Sequence, residues 1–98
     1  MTVLLDPEDA ETRALHDYAD FGGKRVLEIG CGDGRLTWRY ADRVAHAIAI
    51  DPKAEDIEIA IEDRPAELRD KIEFRAARLE DLNLPVEQFD LILLSWSL

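Results

Sequence analysis

The feature that most limits what this chain can become is a short apolar run that ends in glycines. Val26-Leu27-Glu28-Ile29-Gly30-Cys31-Gly32-Asp33-Gly34 reads as a strand entering a turn with glycine at every second position. Glycine is needed where the backbone takes a positive φ or where a ligand approaches the main chain closely. A helical pattern follows, from Arg35 to Arg43, with Leu36 and Tyr40 on one face. If that helix starts near Asp33, its first N–H groups and the positive end of its dipole face the same crevice. A strand–turn–helix of this kind belongs in a parallel sheet with crossover helices.

The rest of the chain repeats the alternation. Asp6 and Pro7 open a helical segment as N-cap and first helical residue, and Phe21-Gly22-Gly23 ends it. Val44 to Ile50 is nearly all apolar and closes on Asp51, the pattern of a buried parallel strand. Pro52 starts a second crossover helix with Ala54, Ile57 and Ile61 as its inner stripe, and Pro65 breaks it. Ile72 to Ala76 alternates as a third strand, Arg78 to Gln88 reads as a loop with at most one helical turn, and Phe89 to Ser95 is the fourth strand. The third crossover is too short for a good helix, so one face of the sheet is expected to be poorly covered.

The glycine pattern separates two ligand classes. A dinucleotide site needs G-x-G-x-x-G, which would place glycine at position 35, where Arg35 stands. The pattern here, E-x-G-x-G-x-G, suits a nucleoside without a phosphate. Asp51, one βα unit downstream, stands where such units keep an acid for ribose, and its carboxylate can accept from both vicinal hydroxyls. Glu28, at a strand end beside the turn, is read as a site residue rather than a strand acid capping a loop. Cys31 reads as a small residue between glycines. His16 and His46 lack ligand-like spacing, and Trp38 and Tyr40 read as packing residues.

Composition closes off other classes. The 98 residues fill one domain. A single cysteine rules out an internal disulfide or a multi-thiolate zinc cluster, and no metal site is expected. The formal charge of −10 repels polyanions at long range, so no nucleic-acid partner is expected. No apolar run reaches the ~18 residues of a membrane span, and the N-terminus lacks a signal-peptide pattern. No membrane association and a cytoplasmic location are therefore expected.

In this company the sequence resembles a class I S-adenosylmethionine-dependent methyltransferase. Val26 to Gly34 is similar to the family's first motif and Ala47-Ile48-Ala49-Ile50-Asp51 to its second-strand motif. Leu79-Glu80-Asp81-Leu82-Asn83-Leu84-Pro85 with Phe89-Asp90-Leu91-Ile92 is similar to the passage from the third strand to the fourth. The resemblance implies an α/β Rossmann-like, mostly parallel sheet. Counting strands from the one at Arg25, the order is 3-2-1-4, the first part of a family order 3-2-1-4-5-7-6. It implies a single domain over residues 1–98 that supplies the cofactor-binding half of an enzyme and stops after its fourth strand.

The resemblance also implies S-adenosylmethionine as cofactor and assigns roles to residues. Glu28 orients the methionyl amino group, directly or through water. Gly30, Cys31 and Gly32 lie against the methionyl part and ribose, and Gly34 admits the close turn. Asp51 takes the ribose hydroxyls, Pro52 packs on adenine, and Leu79 offers a backbone N–H and an apolar wall to adenine. Ser95 falls near the methionyl tail. Arg78 departs from the pattern, since the family often has there an Asp that accepts from the adenine amino group. No catalytic base is identified. The implied activity is methyl transfer to a small-molecule acceptor. The rival readings are a non-catalytic nucleoside-binding or dimerising module, with the fourth-strand edge or the bare sheet face as its interface, and a dinucleotide-dependent domain, which Arg35 disfavours.

Overall fold

The computed structural model describes residues 2–5, 21–83 and 88–94, with the backbone alone for residues 2–5. In chain order the elements are β1 (Thr2–Leu5), β2 (Arg25–Ile29), α1 (Thr37–Tyr40), β3 (His46–Asp51), α2 (Ala54–Asp63), β4 (Ile72–Ala76) and β5 (Leu91–Leu94). Short 3-10 turns at Ala66–Leu68 and Leu79–Asp81 link the later elements. The five strands form one sheet in the order β1-β5-β2-β3-β4, with every pairing parallel. Strands β4-β3-β2-β5 are the 3-2-1-4 arrangement that the sequence implies. The helix expected after Asp6 lies outside the described residues.

Strand periodicity decides which side chains meet. One face carries Val26, Glu28, Ala47, Ala49, Ile72, Phe74, Leu91 and Leu93. Both described α-helices lie on it, through Tyr40 of α1 and Ile57 and Ala60 of α2. Ala47, Ala49 and Ala60 are completely enclosed, and these small side chains let α2 come close to β3. Two successive crossovers moving the same way across a sheet must share a face if both are right-handed, and these do. The described parts of the connection from β4 back to β5 lie on the opposite face. Its Phe89 is buried there against Leu27, Ile48, Ile50 and Ile92, with Leu82 packed alongside.

Four expectations need correction. Leu27, Ile48, Ile50 and Ile92 are at most 7% exposed, so the second face is not bare, although no helix covers it among the described residues. The inner stripe of α2 is Ile57 and Ala60 at i, i+3; Ala54 is exposed and Ile61 is 44% exposed, because the helix axis turns that position away from the sheet. The helix after the glycine turn is a single turn, Thr37–Tyr40, so no long helix dipole reaches the crevice. Finally, the outer edge of β5 is taken. Thr2, Val3, Leu4 and Leu5 pair in parallel with Leu91, Ile92, Leu93 and Leu94, which removes the open strand edge proposed for self-association.

Candidate functional site

Strands β2 and β3 run side by side, with Ile29 opposite Ile50, and both stop at the same end of the sheet. Beyond Ile29 the chain keeps bonding to its neighbour: the N–H groups of Gly30 and Cys31 both donate to Ile50 O, at 2.8 and 3.0 Å. Gly34 N–H then donates back to Cys31 O at 3.1 Å, closing the turn. Gly30, Gly32 and Gly34 all have positive φ, and no other residue type is at a positive φ among the described residues. The alternate glycines are thus required by backbone conformation.

The last two differ in what surrounds them. A side chain at Gly32 would meet nothing within 4 Å, so the chain lies open above this peptide. A side chain at Gly34 would sit 3.1 Å from the indole of Trp38. The close approach that Gly34 admits is therefore to a neighbouring ring, which in turn packs edge-on against Phe74 at 5.4 Å.

Asp51 ties the turn to the second strand. One carboxylate oxygen accepts from Gly32 N–H at 3.0 Å and the other from Lys53 N–H at 2.9 Å. The carboxylate has four acceptor positions, so two stay available for a pair of hydroxyls. Gly32, open above and anchored below, and the half-exposed Asp51 together leave acceptor positions free beside an open main chain. Ala77 N–H donates to Asp51 O at 3.0 Å, which brings the segment leading to Leu79 to the same strand end. Leu79 is 47% exposed, an apolar side chain turned to solvent. Pro52 is exposed beside Asp51. Arg78 is also exposed and pairs with Glu80 at 3.8 Å. Ser95 lies outside the described residues.

Glu28 is fully enclosed on the helix-covered face. Thr37 Oγ1 and Tyr40 Oη both donate to its Oε1, each at 2.6 Å. These are short, charge-assisted bonds, the kind a buried carboxylate requires. Burial and the Glu28 carboxylate push the Tyr40 hydroxyl well above its ordinary range, which keeps it protonated and donating. Tyr40 also stacks on Phe21, with ring centroids 4.9 Å apart. The sequence reading treated Tyr40 as packing and passed over Thr37. The missed signal is a pair of hydroxyls spaced i, i+3 on the inward side of a helix that follows a strand carrying an acid; a buried acid needs such donors.

The turn is electrically negative. The Cys31 thiol is pushed far up, first by burial and then by Glu28, Asp51 and Asp33. It stays a neutral thiol and is no nucleophile. No group of three or more candidate metal ligands occurs among the described residues, and no described helix is long and apolar enough to cross a membrane.

Comparison with known proteins agrees with this geometry. The profile of a family described as a methyltransferase domain matches residues 26–98. The ribosomal protein arginine N-methyltransferase rmt3 of Schizosaccharomyces pombe is 34% identical over 82 residues, 83% of this chain and 15% of the relative. The mitochondrial ubiquinone biosynthesis O-methyltransferase of Rattus norvegicus is 37% identical over 89 residues, 87% of this chain and 26% of the relative. An S-adenosylmethionine-dependent methyltransferase from Mesorhizobium loti superposes with a TM-score of 0.70 at 26% identity, over 88% of this chain and 40% of that structure. The chain thus spans well under half the length of each.

Proposed function

The chain belongs to the methyltransferase-domain family, and from that premise we propose that it binds S-adenosylmethionine at the carboxyl ends of β2 and β3 and serves methyl transfer to a small-molecule acceptor. The observation that carries the reading is the contact between Asp51 and Gly32 N–H at 3.0 Å beneath an open peptide. It places a carboxylate with spare acceptor capacity beside a main chain that a ligand can touch.

Each site residue then has a defined task. Asp51 accepts from the ribose hydroxyls. Gly30, Cys31 and Gly32 lie along the ribose and methionyl part, and Gly34 keeps the turn closed against Trp38. Pro52 and Leu79 flank the adenine, and Ser95 belongs near the methionyl tail. Glu28 serves the methionyl end. Bound S-adenosylmethionine supplies an electrophilic methyl group on a sulfonium. The protein's contribution is alignment and exclusion of water for in-line attack by the acceptor. Glu28, Asp33 and Asp51 beside the turn oppose a pyrophosphate, and Arg35 stands where a dinucleotide loop needs glycine, which supports this reading over the dinucleotide one. The small-molecule acceptor is favoured by the ubiquinone-biosynthesis relative, while the arginine-modifying relative keeps a protein substrate as the contrasting outcome.

Calorimetric titration with S-adenosylmethionine and S-adenosylhomocysteine tests the proposal. Saturable binding is expected, weakened more than about tenfold in Asp51→Ala, which removes the ribose acceptor and the Gly32 anchor together. A folded chain that binds neither compound overturns it. Transfer of a labelled methyl group by the longest natural form, offered hydroxyl-bearing small molecules or arginine-containing peptides, decides the acceptor class.

A further inference from the structure

The glycine turn is held at two points, and the second is fully enclosed. The first is Asp51 on Gly32. The second is Glu28, which stands two residues before Gly30 and takes hydroxyl bonds from Thr37 and Tyr40, just beyond the turn. The intervening helix α1 is four residues long and has no side-chain cap. So short a helix cannot hold its own position in water. Its place relative to β2 must come from tertiary anchors, and the bonds to Glu28 are the short, buried ones. The stack of Tyr40 on Phe21 fixes the ring that carries one of them.

We infer that Thr37 and Tyr40 are positioning residues for the cofactor turn, acting through Glu28: they close a strand–turn–helix clasp that sets the direction of the Gly30, Gly32 and Gly34 peptides. The inference deepens the binding site proposed above and rests on that reading for its effect on affinity. Its effect on the turn itself does not need a ligand. Loss of either hydroxyl frees one side of the clasp, and a misplaced binding group costs affinity out of proportion to its distance from the ligand.

Two measurements test it on Tyr40→Phe, Thr37→Val and Thr37→Ser. The first is amide hydrogen exchange without ligand, at a temperature where thermal melts show every variant folded. Gly30, Gly32 and Gly34 are expected to exchange about tenfold faster in Tyr40→Phe and Thr37→Val, with β3 amides unchanged. Thr37→Ser, which keeps a hydroxyl, is expected to restore wild-type exchange. The second is affinity for S-adenosylhomocysteine under the same conditions, expected to fall about tenfold in the first two variants and to recover in Thr37→Ser. In a double-mutant cycle, Glu28→Gln and Tyr40→Phe are expected to be non-additive. Lower melting temperatures with unchanged turn exchange and unchanged affinity would reduce the network to plain packing and overturn the inference. If the wild-type chain binds no S-adenosylhomocysteine, the binding-site reading fails, and the exchange result alone still decides whether the clasp exists.

Discussion

The two ends of β2 solve the same problem, a carboxylate that must be satisfied, in opposite ways. At its amino end Arg25 meets Asp90, which precedes β5. The backbone N–H of Arg25 donates to Asp90 at 2.9 Å, its guanidinium makes two further bonds at 3.3 Å, and Asp90 N–H returns a bond to Arg25 O at 2.8 Å. Both side chains are in water. At the carboxyl end Glu28 is enclosed and takes two hydroxyl bonds on one oxygen. The lesson is that formal pairing and structural consequence separate. A surface ion pair is screened and exchangeable with water, while a buried carboxylate leaves its donors stranded if removed.

The sharpest way to break this contrast is Glu28→Ala. It strands two buried hydroxyls and opens a cavity, and about 3–5 kcal/mol of stability should be lost in urea unfolding. Because a chain of this size has a small reserve, a largely unfolded product is the expected extreme. An effect below ~1 kcal/mol would mean that Thr37 and Tyr40 find other acceptors. Next comes Gly34→Ala, where a positive φ of 92° coincides with the Trp38 ring. A loss of about 2 kcal/mol is expected, and Gly32→Ala, strained in φ but free of any contact, should cost less. Equal losses at the two positions would remove Trp38 from the account.

Tyr40→Phe, with the stack on Phe21 retained, should cost about 1–2 kcal/mol at neutral pH. It also has a pH signature. The hydroxyl's folded pKa lies above its unfolded value of ~10, so its stabilisation is complete below that pH and fades as pH rises through the folded value. Alkaline unfolding curves of wild type and variant should converge above pH ~10. Asp90→Asn is expected to have the smallest effect. Arg25 holds the Asp90 carboxyl down at about 2, first through its side-chain hydrogen bond and then through its backbone N–H. A depressed carboxyl stabilises above its unfolded pKa of ~4 and loses that contribution as pH falls toward 2. Stability at pH 7 should change little, and the wild-type advantage should vanish between pH 4 and pH 2. A large loss at neutral pH would erase the contrast between the two ends of β2.

Much of the fold was legible because local pattern and tertiary need coincide. The apolar runs at Val26 and Ala47 are strands buried on both faces, and such runs have no other stable use in a chain of this composition. The three glycines of the turn were legible for the same reason, since each meets a local backbone demand. The place of Asp51 at the end of β3 was legible, but its hold on Gly32 N–H was not, because nineteen residues separate them and only sheet register brings them together. The length of the helix after the turn was misjudged: Leu36 and Tyr40 have helical spacing, but α1 closes a single turn.

The sequence by itself determined the parallel αβ alternation, the glycine turn and the acid at the end of β3, because each is written in residues close together in the chain. Tertiary structure decided the rest. It set which apolar positions of α2 face the sheet, filled the β5 edge with Thr2–Leu5, and converted Glu28 from an acid beside a turn into the acceptor that fixes Thr37 and Tyr40. These depend on which elements meet in space, and a carboxylate's role follows from the donors and the solvent around it rather than from its neighbours in sequence.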